Sequence, residues 1–207
     1  MWKYLEHPNI LSLRGVTMNP PRLISDWMPN GNLSNYIGNN ANADRLGLIS
    51  DIVEGFKYLH SRDVIHGDIK GLNILVDNPV RARIADFGIS IVTRNDNSLR
   101  PATDQSMIFT LRWAAPEVLQ GGNPSKKSDV YSFAMVMIEV FTGAFPFNGR
   151  ELPVTAAAII GGERPPLVGH ATFTPNLQEL TQNCWRQDAD ERPEMSEIAQ
   201  VLANIIH

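Results

Sequence analysis

Residues 64–75 read Val64-Ile65-His66-Gly67-Asp68-Ile69-Lys70-Gly71-Leu72-Asn73-Ile74-Leu75, and no other stretch constrains the chain as much. A carboxylate, an ammonium and an amide stand at fixed offsets within it: Lys70 two residues after Asp68, and Asn73 five residues after it. Thirteen residues beyond Asn73 comes Asp86-Phe87-Gly88, and later Ala115-Pro116-Glu117. Chance supplies any one of these motifs; it rarely supplies all three in this order. Their chemistry is coherent. Asp68 can accept the proton of a hydroxyl, Lys70 can pair with a phosphoryl group, and Asn73 and Asp86 offer hard oxygen ligands to a divalent cation.

A chain of 207 residues can bury a sizeable core as one domain. Hydrophobic residues make up 43% and charged residues 19%, as in an ordinary globular protein. The net charge of −4 argues against a general nucleic-acid or membrane-surface binder. Cys184 is the sole cysteine, so no internal disulfide can form. The start, Met1-Trp2-Lys3-Tyr4-Leu5-Glu6-His7-Pro8, lacks the basic-then-apolar pattern of a signal peptide. The most apolar run, Val130 to Phe141, is too short to span a bilayer and carries Glu139. These features point to a soluble chain of the cytoplasm or nucleus.

Residues 1–6 read as the end of a helix stopped before Pro8. Leu11 to Met18 and Arg22 to Trp27 read as two strands across Asn19-Pro20-Pro21, followed by a connector at 28–31 and a short helix, Asn32 to Ile37. Leu46, Ile49, Ile52, Val53, Phe56 and Leu59 recur at helical spacing, which predicts an amphipathic helix over 44–62. Asn73–Val76 and Ala82–Ala85 read as a small strand pair. Residues 88–112 lack periodicity and read as a mobile loop. Ser128 or Asp129 is the expected cap of a buried helix ending near Thr142. Further helices are expected near 150–160, 176–185 and 194–205.

This layout resembles a eukaryotic-type protein kinase domain of the tyrosine-kinase-like serine/threonine group, and the resemblance covers essentially the whole chain. Besides the three motifs it rests on His7-Pro8-Asn9-Ile10, on Ile24-Ser25-Asp26-Trp27-Met28, and on Cys184-Trp185 followed by Glu191-Arg192-Pro193. The resemblance implies an α+β fold with a mostly helical large lobe (32–207), a hinge (28–31) and a remnant of the small lobe (1–27). It implies ATP and Mg²⁺ as cofactors and proteins as substrates. Asp68, Lys70 and Asn73 would be catalytic, and Asn73 and Asp86 would hold the metal. Ser25 would be the gatekeeper beside the adenine, Asp26 and Met28 would offer backbone groups to its edge, and Leu75 would pack on its face. Gly88 would allow the chain to reverse after the metal ligand. Thr110 would tie the peptide-binding segment to Asp68 and Lys70. Glu117 and Arg192 would form a buried ion pair, Asp129 would hold the catalytic-loop backbone, and His66 would pack under Phe87. Lys70 and Thr110 favour serine or threonine acceptors over tyrosine.

Three departures from the family pattern carry expectations of their own. The chain as written has no Gly-rich loop or Val-Ala-Ile-Lys strand, and the glutamate partner of that lysine would precede Met1. A non-catalytic, kinase-like binding module is therefore the alternative function, and residues 1–207 alone are expected to be poorly soluble and nearly inactive. Gly67 stands where most of the family carries an arginine that receives an activation-loop phosphate. Phosphate on Thr93, Ser98, Thr103 or Ser106 then has little purchase on the site unless Arg94 or Arg112 takes over that task. Trp2 fills a spine position usually held by a smaller side chain.

Overall fold

The computed structural model describes residues 2–87, 91–92 (backbone only) and 110–206, which form seven α-helices and six short strands. The architecture is α+β, as expected. A 3-10 turn, Trp2–Tyr4, replaces the expected helix end. The Trp2 indole N–H donates to Leu11 O at 2.6 Å.

Strands β1 (Leu13–Met18) and β2 (Pro21–Ser25) form an antiparallel hairpin whose register shifts between Leu13 and Gly15. The ladder stops at Ser25, two residues earlier than the apolar pattern suggests, and the Asp26 carboxylate turns to the Arg14 guanidinium at 2.6 Å. Val16, Met18, Leu23, Ile24 and Trp27 are exposed.

Helix α1 (Leu33–Asn39) starts at Asn32, whose side chain accepts from Asn35 N. Helix α2 (Arg45–Ser61) starts at Asp44, which accepts from Gly47 N. Both are side-chain caps of the ordinary kind. Of the expected α2 stripe, Ile49, Ile52, Val53, Phe56 and Leu59 are fully buried and Leu46 only partly, while Leu48, outside the expected set, is buried with them. At Gly55 a Cβ would crowd Asn9 O and Ile84 Cδ1, so the helix approaches the segment before β1 more closely than any other residue allows.

Strands β4 (Ile74–Val76) and β5 (Ala82–Ile84) pair as expected. Leu11 N donates to Ile84 O and Ile84 N to Asn9 O, so residues 9–11 run beside β5. Two further strands, β3 (Val64–Ile65) and β6 (Ile91–Val92), pair with each other; at two residues apiece they leave no legible pattern. Most of the expected mobile loop, including Gly88, Arg94 and the four candidate phosphosites, lies outside the described residues.

The short helix α3 (Pro116–Leu119) precedes α4 (Lys126–Thr142), which is buried along nearly all of Ser128–Phe141 and forms the axis of the body. Its cap is Ser125, not Ser128 or Asp129. Ser125 Oγ accepts from Ser128 N while Ser128 Oγ accepts from Ser125 N, a reciprocal box that places Ser128 and Asp129 inside the first turn. Gly143 ends α4 at φ +72°. Helices α5 (Leu152–Ile160), α6 (Pro175–Cys184) and α7 (Met195–Ile206) fall where expected; α7 packs on α2 and α6 on α4. Cys184, Trp113 and Trp185 are core residues, and burial pushes the Cys184 thiol far up. Among the described residues no helix is long and apolar enough to cross a membrane.

Candidate active site

The loop after β3 is held from beneath by one carboxylate. Asp129, in the first turn of α4, accepts from His66 N and Gly67 N at 2.9 Å each and contacts His60 Nε2 at 3.0 Å. His66 continues the anchoring: its Nδ1 accepts from Asp68 N at 3.2 Å, which leaves Nε2 to donate to Ala85 O at 2.9 Å. The His66 ring lies 5.4 Å from the Phe87 ring, and Phe87 lies 5.5 Å from Trp2. His66 is thus a packed structural residue under Phe87, and Trp2 completes an aromatic column above it.

Asp68, Lys70 and Asn73 come together on this loop. Lys70 Nζ donates to Asp68 Oδ1 (3.0 Å), to Asp68 Oδ2 (2.8 Å) and to Thr110 Oγ1 (2.9 Å). Asn73 Nδ2 donates to Asp68 Oδ2 (2.7 Å) and to Asp68 O (2.9 Å). The carboxylate is therefore fixed by two neighbours while its side chain stays 15% exposed, within reach of a bound hydroxyl. Thr110 joins the segment before α3 to this cluster, as the resemblance implies.

Ala85 N donates to Asn73 O at 2.9 Å, which sets Asp86 beside Asn73. With its amide nitrogen turned to Asp68, Asn73 directs Oδ1 the other way. Asp86 takes φ +60° and is exposed. Among the described residues no group of three or more His, Cys, Asp or Glu side chains gathers as a metal cage. One amide oxygen and one carboxylate instead fit a cation such as Mg²⁺, which keeps waters and takes its remaining ligands from phosphate.

Leu11, Met28 and Ala85 form a small apolar cluster with Leu75 and Trp2 against it. Met28 and Leu75 thus line one surface. Ser25 ends β2 and is exposed, and the exposed Asp26 carboxylate accepts from the Arg14 guanidinium.

Farther out, Arg192 donates to both Glu117 oxygens (2.6 and 2.8 Å) with its own side chain fully buried, so the Ala115-Pro116-Glu117 segment is bolted to the chain before α7. The Arg112 guanidinium donates to Pro146 O, Phe147 O and Arg150 O, which engages three of its five N–H donors.

Two residues of the site are not singled out by the sequence. His60 supports Asp129. Glu139, which reads there only as a charge in an apolar run, accepts from Gly71 N and Trp113 Nε1 at 3.1 Å each and from Ser34 Oγ, so one buried carboxylate links α1, the catalytic loop and the segment before α3. A Cβ on Gly71 would overlap that carboxylate, which explains a glycine directly after Lys70.

Burial pushes the Glu139 carboxyl above the usual carboxylate range, and its three donors pull it back less strongly. Its folded-state pKa then exceeds the unfolded value of about 4.3. The folded state holds the proton more tightly, so this group's contribution falls as pH rises from that value through the folded pKa. Urea midpoints of wild type and Glu139→Gln from pH 4.5 to 7.5 should show wild type losing ground to the variant as pH rises. A difference that stays flat would mean the carboxyl is not perturbed.

A sequence model of the protein tyrosine and serine/threonine kinase family matches residues 1–202. A serine/threonine/tyrosine-protein kinase of Arabidopsis thaliana, HT1, is 37% identical over 96% of this chain and 51% of its own length. A probable serine/threonine-protein kinase of Dictyostelium discoideum is 32% identical over 96% of this chain and 15% of its own. A putative serine/threonine-protein kinase/receptor of Acanthamoeba polyphaga mimivirus is 34% identical over 96% and 12%. The chain thus spans from about an eighth to about half of the length of these relatives.

Proposed function

Because the chain belongs to the protein tyrosine and serine/threonine kinase family, we propose that its protein transfers the γ-phosphoryl group of ATP to serine and threonine hydroxyls of protein substrates. The observation that carries this reading is the Asp68 carboxylate, pinned by Lys70 and Asn73 and tied through Lys70 to Thr110. Asp68 accepts the proton of the acceptor hydroxyl as its oxygen attacks phosphorus. Lys70 exchanges part of its contact with Asp68 for the phosphoryl oxygens and so brings donor and acceptor together. Asn73 holds Asp68 with its amide nitrogen, and its oxygen and the Asp86 carboxylate would hold Mg²⁺. Mg²⁺, when bound, neutralises charge on the phosphates. Leu75 would pack on the adenine face, Asp26 and Met28 would offer backbone groups to its edge, and Ser25 would stand beside it as gatekeeper.

The acceptor class rests on the Lys70–Thr110 bond and on the serine/threonine names of the relatives. The mild negative charge supports protein substrates over nucleic acid or membrane.

The test is ATP titration with and without Mg²⁺, followed by phosphoamino-acid analysis of a labelled protein substrate. Affinity should depend on Mg²⁺ and fall in Asp86→Ala, and label should appear on serine and threonine. Binding that ignores Mg²⁺ and survives Asp86→Ala would overturn the metal assignment. Intact Mg²⁺-dependent binding without transfer would favour a non-catalytic binding module.

A further inference from the structure

The chain holds two Asn-Gly pairs, Asn30-Gly31 and Asn148-Gly149. Asparagine before glycine is prone to close on itself, because a second residue without a Cβ lets its backbone nitrogen reach the asparagine Cγ. The fold treats the two pairs differently. In the first, the reacting groups are engaged. Asn30 Nδ2 donates to Asp77 O at 2.6 Å, Asn30 N to Val76 O at 3.3 Å, and Gly31 N to Met28 O at 3.1 Å. The second pair lies in the turn between α4 and α5, with both residues exposed. Among the described residues neither the Asn148 side chain nor Gly149 N has a hydrogen-bond partner. Gly149 takes φ +82°, with open space where a Cβ would stand. The bonds of this turn fall on either side of the reacting atoms: Asn148 N donates to Phe145 O and Arg150 N to Phe147 O, at 3.2 Å each.

We propose that Asn148 is a self-modification site, converting in the folded protein through a succinimide to aspartate and isoaspartate, and that the isoaspartyl form loosens the hold on Arg112. Gly149 N gives up its proton and attacks Asn148 Cγ. A C–N bond forms, the Cγ–Nδ2 bond breaks, and the side-chain nitrogen leaves as ammonia with that proton. Water then opens the five-membered ring. Attack at Cγ gives aspartate on the original backbone; attack at the backbone carbonyl gives isoaspartate, with the chain routed through Cγ. Isoaspartate adds one methylene to the backbone between Phe147 O and Arg150 O, two of the carbonyls that hold the Arg112 guanidinium. Their spacing changes, and the segment at 110–114 loses part of its anchor.

The full-length protein is aged at mildly alkaline pH, native or in urea, and mapped by peptide mass spectrometry. Native protein should convert at Asn148 about 5- to 150-fold faster than at Asn30, the factor for freeing two hydrogen-bonded groups at Asn30. In urea the two pairs should convert at similar rates, because the difference is conformational. Asn148→Gln, whose side chain would close a less favoured six-membered ring, should abolish conversion there and keep the fold, since the position is exposed. Hydrogen exchange of the amides of residues 110–114 should quicken in aged wild type and not in aged Asn148→Gln. Equal conversion at the two pairs in native protein, or conversion at Asn148 in urea alone, would overturn the site. Isoaspartate at Asn148 with unchanged exchange at 110–114 would overturn the link to Arg112. None of these readouts requires phosphotransfer, so the result stands apart from the proposed function.

Discussion

Asp68→Asn should lower kcat by about 10²–10⁴-fold, the range that a positioned general base contributes, while leaving the fold intact. The substitution is close to isosteric. The introduced amide can turn its oxygen to the position of Oδ2 and keep the bonds from Lys70 and Asn73 that measure 2.8 and 2.7 Å, losing only the longer Lys70 contact. The Asp68–Lys70 pair is mostly enclosed, so removing the charge should cost some stability, which is read separately from kcat. KM for ATP should hold, because Asp68 meets the acceptor and not the nucleotide. Steady-state kinetics of the full-length protein, with thermal unfolding as the control, give the answer. A variant retaining more than a tenth of wild-type kcat would remove Asp68 from the role of base.

Asp129→Ala should be the most damaging substitution for stability. The Asp129 side chain is almost fully buried and serves two backbone N–H groups together with His60. Each buried donor left without an acceptor costs about 1–3 kcal/mol, so the two amides alone amount to about 2–6 kcal/mol. His60 adds to this, since its Nδ1 already has no partner among the described residues and Nε2 would lose the one it has. Against a usual domain stability of about 5–15 kcal/mol, the loss is large. Urea unfolding measures it directly. A change below about 1 kcal/mol would show that water replaces the carboxylate, and catalysis should then survive as well.

Periodicity makes much of the fold legible. The apolar spacing predicts a helix over 44–62, and α2 spans Arg45–Ser61, because a six-residue apolar stripe at helical spacing has few other readings. Motif spacing gathers Asp68, Lys70 and Asn73 for a related reason: local offsets on one loop survive folding almost unchanged. The errors share a cause. Ser128 and Asp129 are good capping residues, and the sequence cannot say that the box closes at Ser125 and frees Asp129 to reach a loop more than sixty residues upstream. Glu139 is opaque in sequence because its partners Ser34, Gly71 and Trp113 lie 105, 68 and 26 residues away. Arg112 reads as a spare cation, and only the folded chain brings it the carbonyls of residues 146, 147 and 150. The β3–β6 pair and α3 are too short to carry a pattern at all.

The column of Trp2, Phe87 and His66 gives the molecule a built-in optical reporter. Trp113 and Trp185 are enclosed in the body and Trp27 stands in solvent, whereas Trp2 rests against the ring that immediately follows Asp86. Its indole N–H is anchored to Leu11 O, so the fluorophore is held in place against Phe87. With Trp27 replaced by phenylalanine, the emission that remains sensitive to surroundings is that of Trp2. Rotation of Phe87 away from the column would change its quenching and wavelength. Rearrangement of the segment around Asp86 could then be followed in real time by intrinsic fluorescence, without a label and without turnover.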